Sequence, residues 1–177
     1  ADRKNLKIAG GLMSRHYPPL EEAVHRIHGG EIGEVITCWA YREHAKVGFS
    51  PRAAGMNEMA HQIRNYSNFT WLNGSFILDW LIHNIDVCCW VKDAWPVSAL
   101  GLGGRVPQST DCGQNIDVYS MEYTFADGTK AFCGFRRIAK TRSDFATYIH
   151  GTKCAAQFSG QTHAATVHMF RDQRIEK

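Results

Sequence analysis

The stretch Ser75-Phe76-Ile77-Leu78-Asp79-Trp80-Leu81-Ile82-His83-Asn84-Ile85-Asp86-Val87-Cys88-Cys89-Trp90-Val91-Lys92 is apolar nearly all round. A helix of that composition is buried between other elements instead of lying on a surface. It therefore demands cover, and the segments on either side of it supply two kinds. Upstream, Pro18-Pro19 opens an amphipathic helix in which Leu20, Val24 and Ile27 recur at helical spacing while Glu21, Glu22, His25 and Arg26 face water. Acidic residues sit at its start, basic ones at its end, and Gly29-Gly30 stops it. Downstream, short β-rich runs follow one another: Val97 to Leu102, Ile116 to Phe125, Thr129 to Arg136, Phe145 to His150, Cys154 to Ser159 and Val167 to Phe170. Asp127-Gly128 joins two of them as a hairpin turn. An earlier strand, Glu34 to Arg42, precedes the buried helix.

The order helix, strand, long connection, helix, then hairpin-linked strands predicts an α+β fold: an open, predominantly antiparallel sheet with helices packed on one face. Tyr119, Met121, Tyr123 and Phe125 are expected to form an apolar stripe on the uncovered face. The connection from about 43 to 74 is long enough to imply a role, and its aromatics Phe49, Tyr66, Phe69 and Trp71 suit a lid or pocket wall less ordered than the sheet.

Within the buried helix, Asp79, His83 and Asp86 are spaced four and three apart and share one stripe. Burying unpaired ionisable groups is costly, so each must meet a partner, a ligand or water. A purely structural reading makes Asp79 and His83 a hydrogen-bonded pair that pins the helix. The functional reading makes Asp79 the group that fixes the imidazole tautomer and raises the His83 pKa, and His83 the acceptor of a substrate hydroxyl proton. Loss of that proton must accompany loss of a hydride from the same carbon, which suits alcohol oxidation. A metal site gains little from one His on the stripe and no companion motif.

Composition narrows the classes. The 177 residues fit one domain, with 44% hydrophobic residues and a net charge of +3. Twenty basic residues are spread along the chain, with no block that would mark a nucleic-acid or membrane surface. The cysteines at 38, 88, 89, 112, 133 and 154 form no C-x-x-C and read as small buried hydrophobes. A reducing, cytoplasmic setting fits them. The opening Ala1 to Asn5 lacks a Met and runs into Leu6-Lys7-Ile8-Ala9-Gly10-Gly11, which looks like the end of a crossover and a strand, so the chain reads as a fragment.

Asn73-Gly74-Ser75 through Asp79, His83 and Asp86 resembles the G-G-x-x-x-D-x-x-x-H-x-x-D segment of the Gfo/Idh/MocA oxidoreductases. Gly11-Leu12-Met13-Ser14-Arg15, Gly30-Glu31-Ile32-Gly33, Trp95-Pro96-Val97, Asp127-Gly128-Thr129 and Gly151-Thr152-Lys153 resemble other segments of that family in its order. Ser75 stands where a glycine is common, and Cys154-Ala155 where a second corner glycine often sits. The resemblance implies a C-terminal domain like that of glyceraldehyde-3-phosphate dehydrogenase over residues 1–177, with the N-terminal Rossmann domain absent. It implies NAD or NADP bound mainly by that missing half, since Gly101-Leu102-Gly103-Gly104 lacks the dinucleotide fingerprint's spacing. His83 becomes the proton-transfer residue and Asp79 its partner, with Arg15, Tyr41, Arg42, Tyr66, Trp71 and Asp86 toward a sugar, polyol or related small-molecule substrate. A homodimer or homotetramer through the sheet face is implied too, and the isolated fragment is expected to be inactive. Two alternatives stay open. One is a nicotinamide-dependent glycosidase using the same Asp-His pair; the other is a non-enzymatic dimerisation domain.

Overall fold

Pro18 and Pro19 occupy the first turn of α1 (Pro18–His28), where a missing N–H costs nothing, and Gly29 caps the other end. Leu20, Ala23, Val24 and Ile27 form its buried stripe. In this computed structural model, residues 1–45, 48–106, 113–160 and 165–170 are described. The following elements are β1 (Val35–His44), α2 (Glu58–Arg64), α3 (Thr70–Asn73) and α4 (Ile82–Lys92). After them come β2 (Ser98–Gly104), β3 (Val118–Thr124), β4 (Lys130–Arg137), β5 (Asp144–Gly151), β6 (Ala155–Ser159) and β7 (Thr166–Met169).

The strands form one seven-stranded sheet in the order β2-β3-β4-β1-β5-β6-β7. Only β1 and β4 run parallel; the other neighbours are antiparallel. The expected open α+β sheet is therefore present, with β1 at its centre and α4 against it. Two turn segments far apart in sequence lock the β1–β5 corner. Gly33 has φ +77, and a Cβ on Gly151 would collide with the Ile32 carbonyl, so both positions favour glycine. The Thr152 N–H donates to the Glu34 carbonyl at 3.0 Å, and the Lys153 N–H to that of Ile32 at 2.9 Å.

The period-2 alternation of the strands sorts their residues by face. Cys38, Ala40, Tyr119, Phe125, Ala131, Cys133, Phe135, Ile149, Ala156 and Phe158 point under the helices and are buried with Phe76, Leu81, Val87 and Cys88. Tyr119, Met121, Tyr123 and Phe125 thus belong to the helix-covered core, not to the uncovered face expected for them. Their apolar character identified a buried stripe, but alternation alone does not say which side the helices take. The uncovered face carries the other phase: Leu100 and Leu102 on β2, Phe132 on β4, Trp39 on β1 and Tyr148 on β5. Trp39 pairs with Phe132 on one side and Tyr148 on the other. The rings of Trp39 and Phe132 stack at 4.5 Å.

Three further expectations are corrected. Leu6 to Gly10 form no strand, and Leu6 and Ile8 lie exposed, because no neighbouring strand receives their backbone groups. The connection between β1 and α4, read as an irregular loop, holds α2, α3 and a buried polar network among its described residues. There Asn115 donates to the Ser67 carbonyl at 2.8 Å, Thr70 donates to Asn115 at 2.8 Å, and Arg137 donates to Asn68 at 3.1 Å. Finally, the predicted Ser75–Lys92 helix is present over its full length but is not regular: residues Ile77–Leu81 form a π-helical turn within it, and α4 follows from Ile82. Cys38, Cys88, Cys89, Cys133 and Cys154 are buried free thiols, as expected; Cys112 lies outside the described residues. No helix among the described residues is long and apolar enough to cross a membrane.

Candidate functional site

The π turn determines how the ionisable stripe is used. A regular helix would set Asp79 and His83 side by side, but the wider turn changes their relative rotation. The Asp79 carboxylate instead accepts from the Trp80 indole N–H at 3.1 Å and the Asn73 amide at 3.4 Å. The expected Asp79–His83 hydrogen bond is not formed. The backbone reaches this turn through two left-handed residues, Gly74 at φ 68 and Ser75 at φ 80. Asn73 supports the approach by accepting from the Ser75 N–H at 2.9 Å.

His83 is half-buried, and its Nδ1 is shut off from solvent with no hydrogen-bond partner among the described residues. Burial lowers its pKa from the ordinary value of 6.5; the nearby Arg42 charge lowers it further, and Asp86 and Asp79 pull weakly upward. The shift is downward, contrary to the expected upward one, and favours the neutral ring. A neutral ring is the form that accepts a proton.

The sequence-predicted residues separate into four places. His83, Asp79 and Arg42 gather around Trp80. The Arg42 guanidinium lies 5.2 Å from the Trp80 ring and 3.9 Å from that of Phe145. One turn along, Asp86 is 3% exposed and accepts from Arg15 at 2.9 to 3.0 Å through both carboxylate oxygens, while Arg15 stacks over Trp90 at 5.3 Å. Those two satisfy each other. Tyr41 lies on the uncovered face beside Tyr148, with ring centres 6.1 Å apart. Its neighbour Arg42 projects to the helix side, as adjacent strand residues must. Tyr66 and Trp71 are exposed on the connection, and the Trp71 indole donates to Gln62 at 2.7 Å.

Sequence reasoning missed Asn84. It is 2% exposed, and its amide donates to Thr147 Oγ1 at 3.1 Å and to the Ala146 and Tyr41 carbonyls at 3.3 and 3.4 Å. This ties the start of α4 to β1 and β5 and so fixes His83 against the sheet. A polar amide inside an apolar helix, next to the histidine, was the available signal. His83, Asn84, Ser14, Thr147 and Phe145 line a cavity of about 20 Å³, room for a single water. A sugar needs a space an order of magnitude larger.

No dinucleotide cradle is found among the described residues: Gly101 to Gly104 lie extended within edge strand β2, and no described residue after them is helical before β3. Among the described residues no group of three or more His, Cys, Asp or Glu side chains could hold a metal ion.

The sequence model of the GFO/IDH/MocA C-terminal domain matches residues 20–157. A search of the curated proteins gives no match. Among solved structures, the aldose-aldose oxidoreductase of Caulobacter crescentus in complex with glycerol aligns with TM-score 0.75 and 16% identity, covering 98% of this chain and 48% of that one. The myo-inositol 2-dehydrogenase of Lactobacillus plantarum aligns with TM-score 0.63 and 20% identity, over 83% of this chain and 40% of that one. A super-repressor mutant of Gal80p from Saccharomyces cerevisiae aligns equally fully, with TM-score 0.67 and 12% identity over 99% of this chain and 49% of that one. The chain spans about half the length of the solved structures it matches.

Proposed function

The chain belongs to the Gfo/Idh/MocA family, and on that premise we propose that it is the substrate-binding half of a nicotinamide-dependent oxidoreductase acting on a sugar, polyol or related hydroxy compound. A fold shared by dehydrogenases and a repressor does not decide activity, so the weight falls on the residues. The observation that carries the reading is His83: half-buried, without a protein partner on Nδ1, and with its pKa pushed down by burial. A structural histidine in an apolar helix is ordinarily satisfied. Here the imidazole accepts the proton of the substrate hydroxyl, Asn84 holds the helix against the sheet, and Asp79 stands by as a weak counter-charge. The residues present do not fit a dinucleotide, so NAD or NADP is bound by an N-terminal Rossmann half outside residues 1–177, and this chain alone does not turn over. The exposed Leu6 and Ile8, alternating with Lys7, suit a strand completed by that half.

Nicotinamide reduction by the full-length enzyme with hexoses and polyols tests the reading. Full turnover in His83→Asn would overturn it.

The same proposal includes a homodimer or homotetramer formed through the uncovered sheet face. Trp39, Leu100 and Leu102 are 40%, 64% and 71% exposed there, and large apolar side chains left exposed on a sheet face are a common interface signature. Sedimentation of the full-length protein at micromolar concentration is expected to show an assembly that Trp39→Glu disperses; a wild-type monomer would refute it.

A further inference from the structure

Arg42 sits in an unusual position for a cation. Elsewhere in the molecule basic side chains meet carboxylates: Arg136 bonds Glu43 at 2.6 Å, Lys130 bonds Glu122 at 2.6 Å, and Arg15 bonds Asp86. The Arg42 guanidinium makes no hydrogen bond or ion pair among the described residues, and its Nε is closed off from solvent with no partner. What surrounds it is aromatic: the faces of Trp80 and Phe145. Such contacts are worth about 0.5–2 kcal/mol. The two rings desolvate the inner part of the guanidinium without supplying a counter-charge, and no carboxylate among the described residues pairs with it.

We propose that Arg42 receives an anionic group of the substrate, so that the enzyme acts on a sugar or polyol bearing a carboxylate or phosphate in preference to a neutral one. The inference rests on the reading of His83 as the proton acceptor and deepens it. Phe145, against which the guanidinium lies, lines the same small cavity as His83, so the anion subsite and the base share one wall. The terminal nitrogens of the guanidinium remain for the ligand, a planar fork that matches two oxygens of a carboxylate or phosphate. The arrangement also couples binding to chemistry. The Arg42 charge opposes protonation of His83 in the free protein. An anion on Arg42 cancels that repulsion, so the imidazole becomes a stronger base only when the correct substrate is in place.

The test uses the full-length enzyme with its cofactor bound. Calorimetric affinity and nicotinamide reduction are measured in parallel for neutral hexoses and hexitols, for hexuronates and aldonates, and for hexose monophosphates. One anionic class is expected to bind about thirtyfold or more tightly than its neutral counterparts. The uronate and phosphate arms show which oxyanion is preferred. Arg42→Gln is expected to abolish that preference while leaving the weak neutral binding in place, and Arg42→Lys to retain part of it. Neutral compounds that bind as tightly as the anions, in the unaltered enzyme, overturn the proposal whatever the variants do. Equal weakening of neutral and anionic ligands in Arg42→Gln overturns it too. Anions that bind through Arg42 without any nicotinamide reduction would sink the oxidoreductase reading and leave the Arg42 subsite standing. Oxidation of neutral polyols with no preference for anions would do the reverse.

Discussion

Two adjacent turns of one helical segment treat their charged groups in opposite ways. Around Asp86 the accounts are closed: Arg15 gives that carboxylate three hydrogen bonds and covers Trp90 with its own face. Around His83 they are open. Arg42 Nε, His83 Nδ1 and Asn84 Oδ1 are all closed off from solvent and all lack a partner. Buried polar groups are satisfied in the great majority of cases, so a cluster of exceptions needs a reason. The sharing of one stripe by Asp79, His83 and Asp86 therefore conceals a division of labour. The C-terminal turn pairs its charges within the fold, and the π-helical end leaves polar groups unpaired.

Exchanging His83 for Asn gives the sharpest chance to break that division. In the full-length enzyme, turnover is expected to fall by about a hundredfold or more, the usual consequence of losing a general base. The melting temperature should barely move, because the imidazole makes no hydrogen bond for the fold to lose. A large drop in stability with normal turnover per folded molecule would assign His83 to the structural class. Asp86→Asn is expected to do the opposite. Breaking a buried ion pair costs about 3–5 kcal/mol when both partners are buried. Arg15 is 37% exposed and keeps water, so about 2 kcal/mol of lost stability is expected, with turnover per folded molecule close to normal. Denaturant unfolding and initial rates on the same samples separate the two outcomes.

How much of this was legible beforehand follows the physics of each signal. The strands were readable almost to their ends, because alternation, Asp127-Gly128 and the Gly151 corner are local and strong. Which face of β3 lies under the helices was not readable. Tyr119 and Tyr123 look equally suited to a core or an interface until α4 is set against β1. The stripe of Asp79, His83 and Asp86 was visible as spacing, yet the partner of each residue was not. Spacing arguments assume 3.6 residues per turn, and the π turn at Ile77–Leu81 breaks that assumption just where it mattered. Arg42 was nominated through family resemblance, while its isolation among aromatics depends on Trp80 and Phe145, which are far from it in sequence.

Ser75 sharpens the comparison at smaller scale. Its φ of 80 lies in the left-handed region, which costs a side-chain-bearing residue about 1–2 kcal/mol relative to glycine. Ser75→Gly is expected to raise stability by about 1 kcal/mol, read as a higher denaturant midpoint. Unchanged or lower stability would mean that the Ser75 hydroxyl, 3.3 Å from the Ile77 N–H, offsets the strain by capping the π turn.

The smallest effects are shifts in the pH–rate profile, and they test the open end of the helix most directly. His83 acts while unprotonated, so the rate falls on the acid side as the ring takes up a proton. Its pKa is already lowered, by burial first and by Arg42 second, against weaker upward pulls from Asp86 and Asp79. Asp79→Asn removes one of the pulls that favour the protonated ring. The His83 pKa falls, and the acid limb of kcat/KM moves to lower pH. Arg42→Gln removes a charge that disfavours the protonated ring. The pKa rises, and the acid limb moves to higher pH. Because Arg42 outweighs Asp79 in its effect on the imidazole, the upward shift should be the larger of the two. Both profiles are measured on a neutral substrate, so that loss of anion binding does not enter. Shifts in the same direction, or an acid limb indifferent to Arg42, would mean that the titrating group is not His83, and the distinction between the two turns would lose its chemical half.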